Sequence, residues 1–136
     1  MDRAALQAFL VAEFPQVAAD FVVEEVRPMA ARIRLCVGEK NLRPGGTVSG
    51  PALFALADVS VYLAILAMIG PEALSVTTNC SIDFMRKPVA DRDVSAEARL
   101  LKLGRSLAVG DVLMRSEGLD EPVARASLTY SIPPKR

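Results

Sequence analysis

The spacing of hydrophobic positions changes several times along this chain, and the changes divide it into elements. In "MDRAALQAFLVAEF", Leu6, Phe9, Leu10 and Phe14 recur at helical spacing, which predicts an amphipathic helix over residues 1–14. "FVVEEVR" (Phe21 to Arg27) and "AARIRLCV" (Ala30 to Val37) read as two strands of a hairpin. The second alternates Ala31, Ile33, Leu35 and Val37 against Arg32, Arg34 and Cys36. Alternation returns in "SVTTNCSIDFM" (Ser75 to Met85), with Val76, Thr78, Cys80, Ile82 and Phe84 on one face and Thr77, Asn79, Ser81 and Asp83 on the other. Three more strands follow, "VSAEARLLKL" (Val94 to Leu103), "SLAVGDVLMRS" (Ser106 to Ser116) and "PVARASLTYSI" (Pro122 to Ile132), and "PPKR" reads as a frayed tail.

One segment fits neither period. From Pro51 to Ile69 nineteen residues carry a single charge, Asp58, and a helix apolar on every side must be wrapped by protein or by lipid. Nineteen residues rise roughly 28 Å, close to a bilayer core. Asp58, Ser60 and Tyr62 fall within the span, however, and no Lys/Arg cluster or Trp flanks it, so a sheet curved around the helix is the expected surround. Helix, hairpin, apolar helix and consecutive strands together predict an α+β fold with a curved antiparallel sheet, in one domain over residues 1–136 with its central helix at 50–69.

Charge narrows the partners. Sixteen basic and sixteen acidic residues cancel and no basic run exceeds two, which excludes the footprint of a nucleic-acid binder. Asp2 in the first residues and the interruptions at Gln7 and Glu13 argue against a signal peptide. Cys36 and Cys80 form neither a disulfide framework nor a zinc pattern, and a reducing cytoplasm is the default location. The chain has no histidine, which removes Ser-His and Cys-His nucleophile pairs and most imidazole metal sites. Its chemistry must run on carboxylates, hydroxyls and backbone amides.

Asp58 is therefore the residue to explain. Burying an unpaired carboxylate costs several kcal/mol, and its helical neighbours Phe54, Ala55, Val61 and Tyr62 offer no cation. Hydrogen bonds from a neighbouring strand or subunit would satisfy it structurally; a wet cleft would make it functional. The helix start bears on the choice. Ser49 or Gly50 is placed as N-cap and Pro51 as the first helical residue, so the Gly50 amide is open to a developing negative charge. A carboxylate and an oxyanion donor on one helix, or on facing copies of it, are the minimum for acyl transfer. The loop "GEKNLRPGG" before the helix, with three glycines and a proline, is able to bring backbone close to a ligand.

These motifs resemble the hot-dog-fold acyl-CoA thioesterases, in particular their phenylacetic-acid-degradation (PaaI-like) branch. The matching stretches are "SGPALFALAD", with Gly50 and Asp58 in register, "VTTNCSIDFMRKP", "LLKLGRSLAVGDV" and "EPVARASLTYSI", covering about Asn41 to Ile132. The resemblance implies a sheet wrapped around the central helix, a Gly50 N–H that polarises the thioester carbonyl, and Asp58 as general base or nucleophile. It implies further that Thr77 orients the attacking water and that Asn41 is a polar residue of the site, in a loop two residues longer than usual. Ser49 stands where the family commonly has His, and Pro51 where it has a second Gly.

By the same resemblance coenzyme A arrives as part of the substrate, with no other cofactor and no metal. Arg86, Lys87, Lys102 and Arg105, with Gly104 in the Gly-Arg turn, are the candidates to meet its phosphates; each alone also reads as an ordinary surface charge. Family members build the site across a dimer interface, which implies a homodimer or a dimer of dimers, without nucleic acid or membrane as partner. The leading function is hydrolysis of a medium-chain or aryl acyl-CoA. A non-catalytic acyl-CoA-binding or ligand-sensing module is the alternative, and a dehydratase is disfavoured by the missing histidine.

Overall fold

The computed structural model describes residues 1–134; Lys135 and Arg136, the end of the expected tail, lie outside the described residues. Three helices, α1 (Arg3–Glu13), α2 (Pro15–Ala18) and α3 (Gly50–Ile69), accompany six strands. These are β1 (Phe21–Arg27), β2 (Ala30–Leu35), β3 (Val76–Phe84), β4 (Val94–Leu103), β5 (Leu107–Ser116) and β6 (Pro122–Ser131). The strands form one antiparallel sheet in the order β1-β2-β4-β5-β6-β3, and α3 lies in its hollow, the hot-dog arrangement expected from the sequence.

Helix α3 starts where a side chain can take over an orphan amide. Ser49 is the N-cap and its Oγ accepts from the Ala52 N–H at 3.3 Å, while Gly50 and Pro51 occupy the first turn. It ends at Gly70, whose φ of 96° only glycine adopts without strain, with the Gly70 N–H on the Leu66 carbonyl. By length and composition α3 could cross a membrane, but 67% of its most apolar window is buried. Leu56, Leu63, Ile65 and Leu66 are completely buried, which explains a helix without a polar face. At Gly110 of β5 the sheet passes close under the helix: an added Cβ would lie 3.1 Å from Val61 Cγ1.

Helix α1 closes the open end of this core with Leu6, Phe9 and Leu10, capped by Asp2, whose carboxylate accepts from the Ala5 N–H at 2.8 Å. Strand β2 stops at Leu35 rather than Val37. The Cys36 N–H turns to the Asp20 carbonyl and the Val37 N–H to Asp93 Oδ1, so both leave the ladder.

Strand β3 departs from the expected alternation, and the departure positions the site. A bulge between Thr77 and Asn79 shifts its register against β6, so Thr77 pairs with Tyr130 and Asn79 with Thr129. Strict alternation would put Thr77 opposite to Cys80 in facing; instead Thr77, Cys80 and Ile82 are the partly buried positions and Val76 is exposed. One extra residue turns the Thr77 hydroxyl toward α3.

Candidate active site

Asp58 lies half-buried in the middle of α3, and two hydroxyls from the sheet reach it. Thr77 Oγ1 on β3 donates to Asp58 Oδ1, and Tyr130 on β6 donates to the same oxygen at 2.6 Å. The Tyr130 hydroxyl also lies 2.9 Å from the Asp58 main-chain carbonyl. Among the described residues no donor reaches Oδ2. Burial first, and the Asp58 carboxylate second, push the Tyr130 hydroxyl far above the usual tyrosine range, so it stays protonated and serves as a donor.

A cavity of about 420 Å³ opens beside this group between α1, α3 and the start of β3. Asp58, Thr77 and Tyr130 line it together with the rings of Phe14 and Tyr62 and with Ser75. Tyr62 stacks at a tilt on Tyr130, their centroids 6.2 Å apart, and donates its own hydroxyl to the Ala73 carbonyl. A larger cavity of about 810 Å³ lies on the outer face of the sheet, where Arg99 and Arg125 alternate with Asp83, Glu97 and Asp111. Its charges offset one another across strands, as in the Arg125–Asp83 pair at 2.9 Å, and the cavity is remote from Asp58.

Gly50 is not beside Asp58. Eight residues of helix separate them by about 12 Å along the axis, and Gly50 packs instead at the far end of β3, where an added Cβ would stand 3.4 Å from the Phe84 ring. Among the described residues nothing accepts from the Gly50 N–H. Asn41 is buried and structural in its contacts: its Oδ1 takes the Gly38 N–H at 2.8 Å and its carbonyl takes the Ser49 N–H at 2.7 Å, which ties the loop to the helix start.

The basic residues divide in the same way. Arg86 and Lys87 follow Phe84, and Arg86 is held by Glu121 at 2.5 Å and by the Pro122 carbonyl at 2.9 Å. Lys102, Gly104 and Arg105 form the β4–β5 turn, closed by the Gly104 N–H on the Leu107 carbonyl. Leu103, Ala108, Tyr130 and Thr77 are successive register partners across the sheet, so this turn is at the Asp58 end. Within one chain the two basic sets stand at opposite ends of a sheet roughly 26 Å long at β3.

Tyr130 was not legible as a site residue from motifs. The available signal was its inward position between Leu128 and Ile132, where a buried hydroxyl must find a partner. Neither cysteine is activated. Burial raises both thiols, and for Cys36 it outweighs the opposing effect of Arg34, its neighbour two residues back on the same face.

A family model described as the thioesterase superfamily matches residues 45–123, more than half of the chain and including Gly50, Asp58 and Thr77. The chain belongs to the thioesterase superfamily. Among solved structures, a Silicibacter sp. TM1040 protein assigned to the thioesterases is 57% identical, with a TM-score of 0.92 over 98% of this chain and 93% of that one. The phenylacetic acid degradation protein PaaI of Thermus thermophilus, in an Asn-to-Asp variant, is 31% identical over 88% of this chain and 99% of its own, with a TM-score of 0.75. A Streptococcus pneumoniae TIGR4 hypothetical thioesterase, solved with coenzyme A, shares the fold at 20% identity, with a TM-score of 0.76 over 98% of each chain. No curated protein sequence matches significantly. This superfamily member is a thioester hydrolase, with Asp58 as the carboxylate its helix carries.

Proposed function

We propose that the protein hydrolyses a medium-chain or aryl acyl-CoA, with the acyl group in the cavity walled by Phe14, Tyr62 and Tyr130. The observation that carries the reading is the Asp58 carboxylate, pinned by two hydroxyls at the edge of an aromatic cavity of about 420 Å³, a volume suited to a compact acyl group. The S. pneumoniae relative binds coenzyme A, and the same carrier is proposed here. No other cofactor, metal, nucleic acid or membrane enters the reaction, and the proposed location is the cytoplasm.

The hydroxyl proton of Thr77 is committed to Asp58, so toward a water molecule Thr77 Oγ1 is an acceptor. A water that donates one hydrogen to Thr77 and the other to Asp58 keeps a lone pair for the thioester carbonyl. As its oxygen attacks, its proton passes to Asp58 and the carbonyl oxygen becomes an oxyanion. The tetrahedral intermediate collapses, the C–S bond breaks, and the thiolate of coenzyme A leaves, taking a proton from Asp58. The free acid remains.

The oxyanion donor comes from a second copy. Strand β3 is one of the sheet's two edges, and on or next to it Leu74 (78% exposed), Val76 (55%) and Phe84 (55%) are uncovered. Pairing two β3 edges antiparallel about a twofold axis lays the Thr77 end of one strand against the Phe84 end of the other. Gly50 of the partner subunit then approaches Asp58, and Arg86 and Lys87 of the partner subunit join Lys102, Gly104 and Arg105 around the same mouth. Ser49 supports that glycine as N-cap, and Asn41 holds the loop behind it. Two such dimers meet through the outer sheet faces, where exposed Leu101 and Leu113 sit among alternating charges.

The test is thiol release from short, long and aromatic acyl-CoAs by the wild type and by Asp58→Asn. Loss of roughly two orders of magnitude or more in the variant, with the fold intact, supports the reading. Wild-type binding of acyl-CoA without thiol release would leave a binding module.

A further inference from the structure

Tyr130 is only 3% exposed, and its ring is fixed against Tyr62. Its hydroxyl meets Asp58 twice, on the carboxylate at 2.6 Å and on the main-chain carbonyl at 2.9 Å, and so spans the side chain from backbone to head group. A hydroxyl carries one hydrogen, and the charged oxygen at the shorter distance takes it. Thr77, opposite Tyr130 in the ladder, donates to that same Oδ1. A carboxylate oxygen with two donors has little capacity left for a third partner. Oδ2 receives none among the described residues and is the oxygen left open to a water molecule.

We infer that Tyr130 is a positioning residue for hydrolysis: with Thr77 it occupies Oδ1 of Asp58 and locks the carboxylate, so that Oδ2 alone takes the proton from the attacking water. The inference rests on the hydrolytic reading above and adds to it a residue and a division of labour between the two oxygens. The proton taken by Oδ2 is the one later delivered to the leaving sulfur, so the Tyr130 hydroxyl gives up no proton during turnover. It acts only through Asp58.

Tyr130→Phe removes the hydroxyl and keeps the ring. The expected result is a fall in kcat of about 10-fold or more, the size of one misplaced general base, with KM within twofold of wild type. In the Asp58→Asn background the same change should alter kcat no further. Equal losses in both backgrounds would mean that Tyr130 contributes only to the fold, and kcat equal to wild type would overturn the inference while the hydrolytic reading stood. Absence of thiol release by the wild type is a separate outcome, and it overturns the hydrolytic reading itself.

A readout that needs no turnover accompanies the kinetics. The chain has two tyrosines, so Tyr62→Phe leaves Tyr130 as the sole phenol for alkaline titration by near-ultraviolet absorbance. Around Tyr130 the titratable groups are Asp58 and Tyr62. Its ionisation should lie well above that of free tyrosine and move down when Asp58→Asn is added. An ordinary tyrosine titration unaffected by Asp58→Asn would show that the contact does not exist and overturn the inference.

Discussion

Thr77 and Tyr130 face one another across the β3–β6 ladder, and their hydroxyls converge on one oxygen of Asp58, a residue of a third element. The two strands are adjacent, so the spacing of the donors is set by the ladder rather than by flexible side chains. The bulge after Thr77 is what aims the threonine inward.

Thr77→Val preserves shape and removes this donor together with the acceptor for water. We expect kcat to fall by about 10- to 100-fold, and Thr77→Ser, which keeps the hydroxyl, to retain most activity. Steady-state kinetics on the best acyl-CoA would show it; Thr77→Val turning over at the wild-type rate would remove Thr77 from the site.

A site shared between subunits predicts complementation. Gly50→Pro deletes the amide N–H at a helix position that tolerates proline, and Asp58→Asn deletes the base; each alone should be inactive. Co-expressed, half of the dimers are mixed and carry one intact site of two, so about a quarter of wild-type activity should return. No recovery in isolated mixed dimers would place both groups in one chain.

Basic residues from both ends of the sheet should serve the phosphates and not the acyl group. Lys87→Glu and Arg105→Glu are expected to raise KM for acyl-CoA about 10-fold at low salt and less at high salt. KM for the corresponding acyl-N-acetylcysteamine thioester, which lacks the nucleotide, should stay unchanged. Parallel rises for both substrates would contradict the assignment.

Alkaline stability follows from Tyr130. Its folded-state ionisation is raised, so the neutral form is favoured by folding; the resulting stability is complete below the unfolded value near 10 and is lost as pH rises above it. Each pH unit in that window should remove up to about 1.4 kcal/mol from the unfolding free energy. Urea titrations at successive pH values should show a shallower decline for Tyr130→Phe. Identical slopes would mean that Tyr130 titrates alike in both states.

Local pattern determined most of the elements. Strand-like runs separated by breakers marked β1, β4, β5 and β6 to within a residue, because apolar and β-branched stretches and the turn residues that end them are local features of the chain. The uniform apolarity of residues 50–69 announced a swallowed helix, and Asp58 stood out because nothing near it in sequence could neutralise it. The Gly50-to-Asp58 spacing was readable for the same reason: both belong to one helix.

Tertiary structure decided what meets Asp58. Whether Thr77 points in or out depends on a one-residue bulge against β6, and strict alternation gave the wrong face. Tyr130 lies 72 residues from Asp58 and became its partner only through the strand order that sets β6 beside β3. The same geometry separated Gly50 from Asp58 by two turns of helix, a distance that periodicity could state but not bridge. Elements are written by neighbours along the chain, whereas a site is written by neighbours across the sheet.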